Sequence, residues 1–214
     1  MIGLQAKRML SLLLILASVT AIPWILQKWP EWQKKQAVQT EVATVLTPTK
    51  SLGPFALNST LDRPFTDQSL VGHWTLMFFG YAQCPKICPQ ALSMISEIWR
   101  SFPEQKPHPN AQFLFVSLNP EKDTVDALKP FVQQFHSDFV GLTGPQAEIV
   151  RLSKASGVYS WTDPAQDGST GPKIIDHSAT ILLISPDGRL KALFSPPHDA
   201  LAIARDLKKV IEAS

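Results

Sequence analysis

The stretch Phe78–Leu92, FFGYAQCPKICPQAL, constrains the fold of this chain more than any other. The residues leading into it, Trp74 to Phe79, form a short apolar and aromatic run, the pattern of a buried strand. Gly80-Tyr81-Ala82-Gln83 reads as a turn. Pro85 or Pro89 suits the first turn of a helix, where a missing N–H costs little. Beyond it Leu92, Ile95, Ile98, Trp99 and Phe102 recur at helical spacing. Both cysteines of the protein, Cys84 and Cys88, therefore lie where a central strand hands over to a helix.

That position has chemical consequences. A helix N-terminus carries partial positive charge and favours thiolate over thiol, and Lys86 between the cysteines pushes the same way. On a helical turn the four-residue separation puts both side chains on one face, roughly 6 Å apart at Cα. This spacing admits a disulfide and equally a shared soft metal ion. The plainer reading, two inert core cysteines, fits poorly with proline-flanked thiols at a strand-to-helix turn. With both cysteines in one motif there is no disulfide framework, so a redox or metal role is favoured.

The 214 residues suggest one folded domain with an extension. A net charge of +2 gives no argument for nucleic acid as a partner. Residues 1–28 form the extension: Lys7 and Arg8 precede an apolar run from Met9 to Leu26, at the lower length limit for a bilayer span. Trp24 and Trp29 supply interfacial aromatics. Val19-Thr20-Ala21 resembles a signal cleavage site, but an uncleaved single-pass anchor is the preferred reading. Either reading puts the following domain on the extracytoplasmic, periplasmic side of the cytoplasmic membrane.

Residues 29–54 read as a polar tether, and 55–214 as the folded domain. Within it, 55–57 and 64–66 suggest a hairpin, and Gln112–Leu118 a second buried strand. A helix is expected over Thr124–His136 with Thr124 or Asp123 as N-cap, then a short strand over Phe139–Leu142 and a helix over Pro145–Ser156 ended by Gly157. Ser185-Pro186-Asp187-Gly188 is a hairpin turn between strands 180–184 and 189–194, and Asp199–Ala213 a closing amphipathic helix. Alternating strands and helices predict an α/β fold, a central sheet covered by helices.

Lys173–Ala179, KIIDHSA, leads into the strand at Thr180. Ligands of such sheets gather at the carboxyl ends of parallel strands, where the cysteine turn lies. If strand 180–184 runs antiparallel to strand 74–79, its leading loop reaches that edge and brings His177 to Cys84 and Cys88.

FFGYAQCPKICPQAL, SLNPEKDT at Ser117–Thr124 and DHSATILLISPDG at Asp176–Gly188 together resemble the Sco/SenC family of cytochrome c oxidase assembly proteins. The resemblance covers roughly Phe55 to Ala213. It implies a thioredoxin-like fold and a copper site made by Cys84, Cys88 and His177. It also implies a membrane-tethered metallochaperone whose partner is the subunit holding the oxidase's dinuclear copper site. A soft set of two thiolates and an imidazole suits Cu(I), and Cu(II) also accepts sulfur and nitrogen donors. Asp176 is placed either to orient the imidazole or as a solvated loop carboxylate.

Three positions depart from the family pattern: Gln83 where histidine is common, Lys86 where aspartate is common, and Asn119 where the motif usually begins with aspartate. The three implied copper ligands survive these changes, while Lys86, repelling a cation and stabilising thiolates, tilts modestly toward an alternative, a thiol–disulfide oxidoreductase with Cys84 and Cys88 as redox pair that reduces the acceptor's cysteines. A thiol peroxidase is disfavoured, since no threonine precedes Cys84 by three residues and no arginine is near. His73, His108, His136 and His198 have structural readings, His198 as cap of the last helix, and Asp123 reads as an N-cap. Trp161, in the polar insertion 159–172, reads as a partner contact or as loop packing.

Overall fold

The computed structural model describes residues 38–101, 110–158 and 179–214, with the backbone of 160–162 and 175–177. The expected anchor (1–28), the first part of the tether and His108 lie outside the described residues. The chain divides into two compact units, 1–39 and 40–214, and the second carries all the elements below.

An apolar run that stays buried on both faces must lie mid-sheet, and the strand β4 (Trp74–Gly80) is buried at every position. It pairs in parallel with β5 (Ala111–Ser117), which pairs in parallel with β6 (Phe139–Thr143). On its other side β4 pairs antiparallel with β9 (Ile181–Ile184), bringing Phe78 opposite Ile181. The Ser185–Gly188 turn, with Gly188 at φ 75°, returns the chain as β10 (Arg189–Phe194). β10 alternates half-buried and buried residues, as a strand with one covered face should. The small hairpin of β2 (Ala56–Ser59) and β3 (Phe65–Thr66) extends the far side through β2 and β6.

Residues 43–51, expected as tether, instead form β1 (Ala43–Ser51), the other edge of the eight-stranded sheet, antiparallel to β10. Its β-branched residues suit a strand, and Pro48 falls where the register breaks, between Val45 and Lys50, so no ladder bond is lost. Being an edge, β1 lacks the apolar alternation that marks the inner strands.

The helices are α1 (Ile87–Ser101), α2 (Val125–Gln133), α3 (Gln146–Ser156) and α4 (Ala200–Glu212). α1 packs beside α4, and α2 lies against β6. Gly157 ends α3 at φ 76°, the left-handed cap that its sequence foretold. The N-cap of α2 is Thr124, whose Oγ1 accepts from the Ala127 amide at 3.3 Å. The N-cap of α4 is Asp199, accepting from the Ala202 amide at 2.8 Å, and His198 does other work. Two short strands, β7 (Ser160–Thr162) and β8 (Ile175–His177), pair separately with Ser160 opposite His177. No helix among the described residues is long and apolar enough to cross a membrane.

The resulting directions fix the functional edge. β4, β5, β6 and β10 all end at one side of the sheet, and β9 begins there. The expected antiparallel placement of β9 beside β4 is what the structure has, so β9 begins at the edge where the cysteine turn lies.

Candidate metal and thiol site

The local structure that holds the thiols follows from close approach. Gly80 closes β4, and a Cβ there would fall 2.7 Å from Cys88 Sγ and 2.9 Å from the Phe115 ring. Only a residue without a side chain lets the sulfur pack on the strand end. The chain then turns, the Cys84 amide donating to the Tyr81 carbonyl at 3.1 Å, and α1 starts at Ile87. Both cysteines are reduced and buried, Cys84 at 7% exposure and Cys88 at 0%. Gln83, Pro85, Lys86 and Ile87 around them are exposed, so the thiols sit just beneath a surface patch.

The two sulfurs are chemically unequal. Burial opposes ionisation of Cys84, yet the amides of Cys88, Lys86 and Ile87 and the Cys88 thiol outweigh it, and its pKa is lowered. The Cys88 amide lies 3.4 Å from Cys84 Sγ. Cys88 goes the other way: deeper burial pushes its thiol strongly up, and charge on Cys84 and Asp123 adds to this. Cys84 thus ionises first, with Cys88 holding its proton beside it. Lys86 assists through its backbone N–H, more directly than through the side-chain charge that the sequence suggested.

Asp123 is the residue whose role sequence reasoning missed. It is 1% exposed, and one carboxylate oxygen accepts from the Ala82 amide at 3.0 Å and from Ser117 Oγ at 2.6 Å. Ser117 Oγ in turn accepts from the Asn119 amide at 3.0 Å, and the Leu118 amide donates to the Gly80 carbonyl at 2.7 Å. The loops after β4 and β5 are thereby tied together through one carboxylate. Burial raises its pKa, which the Ser117 and Ala82 bonds counter only in part. The SLNPEKDT motif contained the signal: an acid one residue before the cap, free to reach elsewhere.

Asp123→Ala strands the Ala82 amide and Ser117 hydroxyl and is expected to cost about 2 kcal/mol, whereas Asp123→Asn keeps an acceptor and should lose less than half of that. Urea denaturation of the two variants checks this, and equal losses would refute the bridging role.

The other residues singled out in the sequence are dispersed. His177 occupies the last position of β8, and Asp176 pairs across to Trp161 in β7; their side chains lie outside the described residues. Most of the insertion 159–172 lies outside them too. His73 Nδ1 is 3.1 Å from the Val71 carbonyl, and His136 Nδ1 accepts from the Asp138 amide at 3.2 Å, both local contacts. No group of three or more His, Cys, Asp or Glu side chains poised for a metal occurs among the described residues. The two sulfurs are brought together, then, and Ala179, two residues after His177 and just ahead of β9, bonds to His198.

A protein-family model described as SCO1/SenC matches residues 44–212. The chain belongs to the SCO1/SenC family. Among curated relatives, the mitochondrial SCO2 homolog of Bos taurus is 33% identical over 161 residues, 75% of this chain and 60% of the bovine protein. The Danio rerio SCO2 homolog is 35% identical over 156 residues, 73% of this chain and 55% of the fish protein. The chain therefore matches rather more than half the length of these relatives. Bradyrhizobium japonicum ScoI, solved with copper bound, shares 36% identity at a TM-score of 0.63, covering 74% of this chain and 98% of that one. Arabidopsis thaliana ScoI, also solved with copper bound, superposes at a TM-score of 0.69 with 29% identity, covering 76% and 98%. The SCO1/SenC match gives the chain the family's thioredoxin-like sheet, with the reduced pair Cys84 and Cys88 at its carboxyl edge.

Proposed function

We propose that this SCO1/SenC protein binds copper through Cys84, Cys88 and His177 and delivers it to the dinuclear copper site of cytochrome c oxidase. The observation that carries the reading is the pair of adjacent, reduced sulfurs at the sheet edge, one favoured as thiolate. Such a pair supplies two soft donors without rearrangement, the donor type that selects Cu(I). The copper-bound relatives support the choice of metal. The imidazole of His177 completes the set, offered by the segment that feeds β9. In full, the reading comprises an anchor over 1–28 in the cytoplasmic membrane, a tether running from residue 29 to the domain, and the copper domain on the periplasmic side.

One copper per chain is the expected stoichiometry, measured by dialysis and metal analysis of the purified full-length chain. His177→Ala is expected to weaken binding by at least tenfold and Cys84→Ser to abolish it. A His177→Ala protein that keeps wild-type stoichiometry and affinity would sink the three-donor site.

A second reading rests on the inequality of the two thiols. Cys84 as thiolate attacks a sulfur of the acceptor's disulfide and expels the other sulfur as thiolate. Cys88 then gives up its proton, attacks Cys84 Sγ and releases the second acceptor sulfur. The acceptor leaves as a dithiol and the domain as a Cys84–Cys88 disulfide. This chemistry needs no imidazole, so reduction of an acceptor disulfide that persists in His177→Ala separates it from copper delivery.

A further inference from the structure

The connection from β10 to α4 reads Ser195-Pro196-Pro197-His198-Asp199. Nothing in that sequence ties it to the thiols, but the sheet does. β9 is antiparallel to both β4 and β10, and Ile181 lies opposite Phe78 on one side and Phe194 on the other. The chain that leaves β10 after Phe194 thus crosses the edge where the cysteine turn and the start of β9 lie.

There the His198 ring reaches back to the segment that delivers His177. Its Nε2 stands 2.6 Å from the carbonyl oxygen of Ala179, two residues after His177. A carbonyl only accepts, so Nε2 carries the hydrogen and donates it. The other ring nitrogen, Nδ1, is buried and has no hydrogen-bond partner among the described residues. A buried polar atom left unpaired opposes folding. Capping of α4 does not explain the ring either, because Asp199 performs it. What the ring achieves is a short bond that pins the backbone just past His177 to the β10–α4 connection.

We propose that His198 is a positioning residue of the copper site: its bond to Ala179 anchors the backbone two residues after His177, and with it the point from which His177 serves as a copper donor. The inference rests on the copper reading above. Without the bond, the backbone at Ala179 loses a side-chain anchor to the neighbouring connection, and His177 contributes less to copper binding. The thiols, held by Gly80, Asp123 and α1, are untouched by that loss.

The test compares wild type, His177→Ala, His198→Ala and His198→Gln as full-length chains. Glutamine is chosen because its side-chain amide places a donor where the His198 Nε2 hydrogen was. Three quantities are read: copper affinity, the sulfur-to-Cu(II) charge-transfer band, and hydrogen exchange of the amides from 177 to 182. His198→Ala is expected to speed exchange there about fivefold, the effect of one lost hydrogen bond near 1 kcal/mol, and to weaken copper by a similar factor. The band should shift, and His198→Gln should restore all three toward wild type. The reaction rate of Cys84 with iodoacetamide in the apo protein should not move. If alanine prevents folding, His198→Asn, whose amide is too short to reach Ala179, carries the same comparison. Copper affinity and band unchanged in His198→Ala, in a protein whose binding does depend on His177, overturn the inference alone. Wild-type binding indifferent to His177 overturns the copper reading, and the role of His198 with it.

Discussion

Asp206→Ala is expected to remove about 3 kcal/mol from the stability of the domain and to release β1 from the sheet. Asp206 is fully buried in α4, and one of its oxygens accepts from the amides of Glu41, Val42 and Ala43 at 2.7, 2.7 and 3.0 Å. Lys209 Nζ lies 3.4 Å from the other oxygen. Glu41 itself is clamped from outside by Arg205 at 2.7 Å and Lys209 at 3.2 Å. The exposed ion pairs add little on their own, but the carboxylate among three amides is where the chain from the tether is caught. Alanine leaves those amides facing a hole in place of a charge. The loss is read as a drop in the urea midpoint, and β1 release as fast amide exchange over 43–45. A midpoint within the equivalent of about 1 kcal/mol of wild type would show that the clamp is dispensable.

The same clamp makes stability fall in acid. Burial raises the Asp206 pKa, but the amides of Val42, Ala43 and Glu41 and the Lys209 ammonium outweigh this, and the net shift is downward. Glu41 is lowered to about 2 by its hydrogen bond to Arg205, then by that to Lys209. Groups with depressed folded-state values stabilise above the ordinary carboxylate pKa, and that contribution fades as pH falls through the folded value. Stability from this cluster is therefore complete above roughly pH 5 and lost progressively from about pH 4 downward toward 2. Asp123, raised by burial, acts in the opposite sense and partly offsets the loss. Asp206→Ala should flatten the acid limb of the stability curve.

Gly80→Ala is expected to lower stability by about 1–3 kcal/mol and, more tellingly, to slow the chemistry of Cys84. The new methyl would sit 2.7 Å from Cys88 Sγ and 2.9 and 3.2 Å from two atoms of the Phe115 ring. Neither neighbour can yield cheaply: Cys88 is anchored in the first turn of α1, and Phe115 is fully buried between Phe78 and Phe131. The displaced Cys88 thiol and amide then support the Cys84 thiolate less well, so the Cys84 pKa rises. At fixed neutral pH, alkylation of Cys84 by iodoacetamide should slow several-fold, while an alanine elsewhere in β4 leaves the rate unchanged. An unchanged rate in Gly80→Ala would show that the thiolate does not depend on its packed neighbour.

Much of the fold is legible in the sequence because its signals are local. The run Trp74–Phe79 and the helical spacing after Pro89 mark β4 and α1, and Gly157 and Gly188 stop α3 and turn the last hairpin at the expected residues. β1 was invisible, since an edge strand exposed along much of its length has no period to read and its anchor lies in the last helix. Asp123 was misassigned for a similar reason. Its partner Ala82 is 41 residues away, and only the parallel pairing of β4 with β5 brings the two loops into contact.

The sequence alone settled which atoms are on offer: two sulfurs at a strand-to-helix turn, and a histidine ahead of a later strand, their order giving the family. It also settled the local frame, because strand and helix periods and turn residues act over a few positions. The tertiary structure decided that the two sulfurs pack against each other at the sheet edge, that Cys84 rather than Cys88 ionises, and that Asp123, Asp206 and His198 act as ties between distant segments. The reason is physical: burial and hydrogen bonding between residues separated by 19 to 165 positions exist only once the sheet has set its strand order.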